Sequence, residues 1–311
     1  MQGPRKPGRL IELDTILADK LAGIRLVLMD IDGTLISTAA PSFGNVLIQL
    51  RKLRPLNIGF SVATGRTIHG ASFVTKQLQE LGSHLPPMIT YNGAVVLAGK
   101  DSSVVKRRLI ERADFEAVIE CCRRKSLDVL AYACGAQFDF VPRETVYSEG
   151  ARRPGSDFNG MEVKFVPDLT AVDDDFVAVL VDIPSPEAAP RLLDELNELL
   201  GKHLRVTTSG GRYIEICHTL GTKLNAMAEL AHSEHITVQE IMAIGDNYND
   251  MEMIAGAGVG VAVANAPEAV RRAATLRTTL PNGQGVVEAL RALTRAVRSS
   301  PRPQSATTDG H

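Results

Sequence analysis

Apolar residues come in short runs along this chain, and several of the runs stop at a polar or glycine-containing cluster. Residues 24–29 read as a short apolar strand that ends at Asp30, and 58–63 as a second that ends at Thr64-Gly65. Short apolar runs bounded by turn signals fit strands buried on both faces. Helical spacing covers 45–53 and 72–81, and 87–90 leads into the turn pair Asn92-Gly93. The alternation returns late in the chain. A helix is predicted over 224–231 and a strand over 241–244, with Asp246 just past its end. A short helix over 250–255, a strand over 259–263, a helix beginning at Pro267-Glu268 and a last helix over 285–297 complete the pattern. Buried strands alternating with helices predict a doubly wound, Rossmann-like α/β domain with a parallel sheet.

The middle of the chain has a different texture. It predicts short strands over 104–108, 129–133, 138–141, 176–181, 205–208 and 213–216, with helices near 115–124 and 190–200. The stretch 143–160 reads as loop. This is an α+β insert of antiparallel character. The expected organisation is a discontinuous core over 11–94 and 217–298, an insert over 95–216, and disordered tails over 1–10 and 299–311.

Composition narrows the function classes. The 311 residues suit one large or two ordinary domains, and 44% apolar residues suffice for a substantial core. A net charge of −2, without any block of one sign, gives no reason to expect a nucleic-acid or membrane partner. No apolar run approaches spanning length, and no apolar stretch follows the basic start of the chain. Cys121, Cys122, Cys134 and Cys217 lack paired spacing and read as reduced thiols. The expectation is a soluble cytoplasmic protein, monomeric or weakly homo-oligomeric.

Oxygen-bearing side chains gather where the strands end, which is where open α/β sheets bind ligands. Asp30-Ile31-Asp32-Gly33-Thr34-Leu35 follows the first strand, with two carboxylates spaced to leave it on one side. Thr64-Gly65-Arg66 follows the second strand and offers a hydroxyl and free N–H groups for a phosphate. Lys223 stands near a helix start, and Gly245-Asp246-Asn247-Tyr248-Asn249-Asp250 crowds carboxylates and amides into one loop. Hard oxygen ligands, a cation and a hydroxyl suit Mg²⁺ and phosphoryl transfer. Other patterns carry less. Gly256-Ala257-Gly258-Val259-Gly260 precedes a strand and has the wrong spacing for a dinucleotide loop, and His232 with His235 has no third ligand nearby.

In this order the clusters resemble the four motifs of the haloacid dehalogenase superfamily of phosphatases. Asn92-Gly93-Ala94, Val263-Ala264-Asn265-Ala266 and Asn282-Gly283-x-Gly285-Val286 are similar to its Cof-type subgroup. That subgroup carries a large C2-type α/β cap between the second and third motifs. Many relatives read Lys-Gly at the third motif, where this chain has Lys223-Leu224. The resemblance implies Asp30 as nucleophile and Asp32 as general acid and base. Thr64 and Lys223 would hold the phosphoryl oxygens, with Gly65, Arg66, Asn92, Gly93 and Asn249 lining the site. It implies Mg²⁺ on Asp30, the Asp32 backbone carbonyl and Asp246, supported by Asp250. The activity implied is hydrolysis of a small phosphorylated metabolite through an aspartyl-phosphate. A phosphomutase and a non-catalytic phosphate-binding module are the alternatives. Gln137, Arg212 and Glu215 are candidates for contacting the leaving group from the insert, and Tyr132 and Tyr213 read equally as core or substrate-facing.

Overall fold

The computed structural model describes residues 15–37, 43–82, 88–98, 103–135, 143–149, 161, 163–208 and 213–299. The predicted strand at 138–141, the candidates Gln137 and Arg212, and the tails 1–10 and 300–311 lie outside these residues.

A helix the hydrophobic pattern does not signal, α1 (Thr15–Ala22), precedes β1 (Leu26–Met29). Val27 and Met29 join one buried cluster, whereas Leu26 and Leu28 join another. That split is what side-chain alternation produces when both faces of a strand are covered. Helix α2 (Gly44–Leu50), β2 (Gly59–Ala63), α3 (Ile68–Gln79) and β3 (Met88–Thr90) follow. Then β4 (Val95–Ala98) and β5 (Ser103–Arg107) add an antiparallel pair beyond β3. Residues 95–98 and 103–107 thus complete the edge of the first sheet, although a boundary at 95 assigns them to the insert. Their apolar residues bury here: Val95 and Val96 are fully covered, and Val96 packs in the cluster that contains Leu26 and Leu28.

The insert forms its own sheet. Helix α4 (Arg112–Arg124) leads to β6 (Val129–Cys134), β7 (Glu144–Glu149), β8 (Val163–Val166) and β9 (Phe176–Asp182). Helix α5 (Ala189–Leu200), β10 (Leu204–Thr208) and β11 (Tyr213–His218) complete it. The six strands run in the order β10-β11-β9-β6-β7-β8, antiparallel except for the β7–β8 pair. Strand β7 occupies part of the stretch that reads as loop. Its sequence, Glu-Thr-Val-Tyr-Ser-Glu, has one aliphatic residue, and pairing with β6 gives it the order its own pattern does not signal. One face of this sheet packs on α4 and α5, with Phe115 and Phe176 stacked 4.0 Å apart. Leu130, Tyr132, Cys134, Val146 and Ala178 point the other way and join the cluster that contains Val27 and Met29.

The chain then returns through α6 (Lys223–Ser233), β12 (Ile241–Gly245), α7 (Met251–Gly256) and β13 (Val259–Ala262). Helix α8 (Glu268–Ala273), β14 (Leu276–Arg277) and α9 (Asn282–Ser299) end the described chain. Helix α9 runs through Ser299, so the last helix is longer at both ends than its apolar pattern indicates. The larger sheet has eight strands in the order β14-β13-β12-β1-β2-β3-β4-β5. It is parallel from β14 to β3, and β1 sits between β2 and β12, where the winding reverses. Ligand crevices of open sheets form at such a reversal. All four cysteines are buried and free of disulfides. Among the described residues no helix is long and apolar enough to cross a membrane.

Candidate active site

Asp30 is the first residue past β1, and its N–H still bonds to the Ile244 carbonyl of β12 at 2.9 Å. The ladder therefore fixes the backbone on which the carboxylate stands. The side chain is buried, as is Lys223, whose Nζ lies 2.6 Å from Asp30 Oδ1 and 2.6 Å from Asp250 Oδ1. Lys223 opens α6, and Thr222 caps that helix by accepting from Asn225 N–H at 3.1 Å. Leu224, where many relatives have glycine, keeps the helix regular and packs toward Gly256. Burial opposes the Lys223 charge, yet Asp250 and Asp30 outweigh it and hold its pKa above the ordinary lysine value. Burial pushes the Asp30 carboxyl well above the usual carboxylate range; Lys223 pulls it back, and Asp250 adds repulsion. Two carboxylates around one ammonium leave net negative charge in a dry place, and such charge demands a partner.

Asp250 also accepts from the N–H groups of Asp246 and Asn247, both at 3.0 Å. It thus organises the loop after β12 as well as Lys223. Asp246 accepts the Thr34 hydroxyl at 2.6 Å and the Asn265 amide at 3.2 Å. Asn265 Nδ2 also donates to the Gly33 carbonyl, and its Oδ1 accepts from Asn282 N–H at the start of α9. Gly33 has φ +83°, and a Cβ there would meet Asp246 Oδ2 at 2.3 Å, so both backbone conformation and space require glycine. Burial pushes the Asp246 carboxyl up to about 6; the Thr34 hydroxyl opposes the shift and Asp250 adds to it.

Carboxylate oxygens of Asp30, Asp246 and Asp250 lie within 4.8 Å of one another. They are hard donors with raised proton affinity at two of three positions, which a divalent cation would relieve. Asp250 already accepts three hydrogen bonds, so Asp30 and Asp246 are the better-placed direct ligands, with Asp250 in support.

The second strand supplies the opposite wall. Thr64 N–H bonds to the Ile89 carbonyl at 2.9 Å, and Thr64 Oγ1 accepts from Arg66 N–H at 3.1 Å. Arg66 grips Asp32 with both prongs, Nε–Oδ2 at 2.6 Å and Nη2–Oδ1 at 2.7 Å, and lies over the Phe73 ring. Arg66 thus holds the Asp32 carboxylate beside the Asp30 cluster, and any metal contact from Asp32 would use its backbone carbonyl. Asn92 N–H bonds to the Thr64 carbonyl at 3.0 Å, which holds the Tyr91–Gly93 turn against the loop containing Gly65. Gly93 has φ +108°, and a Cβ there would strike the Thr222 carbonyl oxygen at 2.2 Å. Arg108 donates to the Gly93 carbonyl at 2.7 Å and pairs with Glu229 of α6, which fixes this turn relative to Lys223.

The insert meets the site through β11 and β7. Asn249 Nδ2 donates to Asn92 Oδ1 at 3.0 Å, and Asn92 Nδ2 donates to Glu215 of β11. Asn249 Oδ1 is buried without a hydrogen-bond partner among the described residues. Glu144 of β7 accepts from Ile68 and His69 N–H, both at 2.7 Å, at the start of α3, and from the Tyr91 hydroxyl. Burial raises the Glu144 carboxyl above its ordinary value, while the Tyr91 hydroxyl and the two N–H groups oppose that shift.

The geometry therefore brings Asp30, Lys223, Asp246 and Asp250 together, and places Asp32, Thr64, Gly65, Arg66, Asn92, Gly93 and Asn249 around them. Tyr132 joins the face of the insert turned toward the site, with its ring 5.8 Å from that of Tyr91. Sequence reasoning does not single out Thr34, Arg108 or Glu144 as site-building residues. Thr34 is within its reach, since it lies in the first motif. Arg108 and Glu144 carry no local signal, because each is defined by a partner distant in the chain. His232 and His235 form no metal group among the described residues.

The Bacillus subtilis 5-amino-6-(5-phospho-D-ribitylamino)uracil phosphatase YcsE is 24% identical over 269 residues, covering 86% of this chain and 95% of its own. A phosphoglycolate phosphatase of Methanopyrus kandleri is 28% identical over 272 residues, covering 88% and 98%. The crystal structure of a haloacid dehalogenase-like hydrolase from Bacteroides thetaiotaomicron superposes with a TM-score of 0.71 at 26% identity, covering 86% and 98%. The family model of haloacid dehalogenase-like hydrolases matches residues 27–290, from β1 into α9. With that match spanning both halves of the larger sheet and the insert, the chain belongs to the haloacid dehalogenase-like hydrolases.

Proposed function

We propose that this hydrolase is a Mg²⁺-dependent phosphatase that cleaves small phosphate monoesters through an aspartyl-phosphate on Asp30. The observation that carries this reading is the buried Asp30–Lys223–Asp250 cluster, in which the carboxylates follow β1 and β12 and the lysine opens α6. An oxygen of Asp30 attacks phosphorus, and the ester oxygen leaves with a proton from Asp32. Asp32 then takes a proton from water as that water attacks phosphorus, which breaks the bond to Asp30 and releases inorganic phosphate. Thr64 and Lys223 hold the non-bridging oxygens, and Arg66 sets the position of Asp32 through its two-pronged contact. Mg²⁺ on Asp30, Asp246 and the Asp32 carbonyl, supported by Asp250, would screen the negative charge of nucleophile and phosphate from each other.

The second sheet, over roughly the segment between α4 and β11, acts as a cap that covers the crevice and chooses the leaving group. The named relatives are phosphatases of esters with different leaving groups: a ribitylaminouracil in one, and glycolate, which also carries a carboxylate, in the other. A small phosphorylated metabolite is the substrate class that both support.

Phosphate release from a panel of phosphorylated metabolites, with Mg²⁺ and with EDTA, tests the reading. The wild type is expected to release phosphate only with the metal, and Asp30→Asn to lose about 10⁴-fold or more in rate while keeping its circular dichroism spectrum. Full turnover by Asp30→Asn would refute the mechanism. Phosphate shuttled between positions of a sugar, without release, would mark a mutase instead.

A further inference from the structure

The insert strand β11 brings a carboxylate within one side chain of the crevice. Side chains alternate along a strand, so Tyr213, Glu215 and Cys217 share one face. Across the sheet Glu215 lies opposite Leu180, and Leu180 opposite Leu130, both of which pack with the cluster beneath the insert. Glu215 therefore points toward the larger sheet and away from α4 and α5. There it accepts from Asn92 Nδ2, while Asn92 is held through its N–H by the Thr64 carbonyl and through Oδ1 by Asn249. Thr64 and Asn249 both border the Asp30 cluster. A chain of fixed polar contacts thus sets one carboxylate at the roof of the phosphate site, with the Tyr132 phenol near enough to feel its charge.

Such a group acts on whatever leaves with the ester oxygen. A carboxylate accepts hydrogen bonds from hydroxyl or amine groups and repels a second anion. On the phosphatase reading above, we infer that Glu215 selects the leaving group: it favours phosphate esters of neutral polyols or amino-polyols and disfavours esters whose leaving group carries a carboxylate or second phosphate. Selection here is a difference between substrates, made partly by repulsion, and does not require Glu215 to touch the reacting atoms.

The test compares kcat/KM for ribitol 5-phosphate and for phosphoglycolate within each preparation of wild type, Glu215→Gln and Glu215→Lys, with Mg²⁺ present. A ratio measured on one preparation does not depend on the fraction of folded enzyme. The wild type is expected to prefer ribitol 5-phosphate. Glu215→Gln should shift the ratio about tenfold or more toward phosphoglycolate, and Glu215→Lys further still. A ratio in Glu215→Gln within about twofold of wild type overturns the inference. So does a wild type that prefers phosphoglycolate. para-Nitrophenyl phosphate separates the two levels: its turnover with neither probe cleaved overturns the role of Glu215 alone. No phosphate from any of the three overturns the phosphatase reading, and the inference falls with it.

Discussion

The two sheets of this molecule handle charge in different ways. The larger, mostly parallel sheet is covered on both faces, so its strands bury mainly apolar side chains, with the hydroxyls of Ser61 and Thr90 among them, and its carboxylates stand past the strand ends. Asp30 follows β1 and Asp246 follows β12, while Asp250 sits one turn further on. Among the described residues, the insert sheet has helices on one face alone. Its other face mixes Leu130, Val146 and Ala178 with Tyr132, Glu144 and Glu215, and these polar groups meet the start of α3 and the Tyr91–Gly93 turn. Parallel strands thus converge their ends on one point, which suits a fixed chemical step. An antiparallel face offers a surface of separate positions, which suits recognition. Burial draws the same line: Lys223, Asp250 and Asp30 are 1%, 0% and 5% exposed, whereas Glu215 is half-buried.

If the strand-end cluster is the rigid part, breaking it should cost most. Lys223→Met leaves Asp30 and Asp250 buried against each other without their cation. Loss of about 3–5 kcal/mol of stability is expected in urea unfolding with EDTA present, together with loss of turnover. Wild-type stability in Lys223→Met would mean that the cluster is hydrated and that the contrast between the two regions is overstated.

A smaller effect follows from Asp246. Its carboxyl is raised from 3.8 to about 6, so the group is protonated below that pH and charged above it. For the metal-free protein the sign is a contribution to stability that is present at low pH and lost as pH rises through about 6. Mg²⁺ needs the charged form. The concentration giving half-maximal activation should be flat above about pH 7 and rise by up to about tenfold per unit below pH 6. A half-activation concentration unchanged between about pH 5 and pH 7 would remove Asp246 from the metal's ligands.

The smallest effect belongs to the insert's contact with α3. Glu144→Gln keeps the shape of the side chain but can no longer accept at both oxygens from Ile68, His69 and Tyr91. A loss of about 1–2 kcal/mol is expected, read as faster amide exchange at the start of α3, with KM changed more than kcat. Equal loss in kcat would instead tie Glu144 to the chemical step, and erase the division of labour between the sheets.

How much of this is legible in advance depends on the distance over which each feature is defined. The strands β1, β2, β12 and β13, and Asp30, Thr64 and Asp246 past strand ends, announce themselves locally, whereas Lys223 at the start of α6 stands out only through its place before the last motif. Each apolar run is followed at once by the polar residues that the sheet's geometry places in the crevice. The hairpin-like pair β4 and β5 gives no such sign of its allegiance, since its short apolar strands resemble those of the insert and only pairing with β3 assigns it to the larger sheet. Strand β7 is hidden because most of its residues are polar, and β6 rather than its own pattern holds it in register.

Sequence alone determined the alternation of buried strands and helices, the carboxylates past their ends and the presence of a differently built insert. These follow from hydrophobic periodicity and from the high cost of leaving charge inside a sheet. Tertiary structure alone decided that Arg66 grips Asp32, that Arg108 ties the Gly93 turn to α6, and that Glu144 and Glu215 descend from the insert onto Ile68, His69, Tyr91 and Asn92. A charged side chain on a strand has no preferred partner until the sheets are packed, and only then do distance and desolvation choose one.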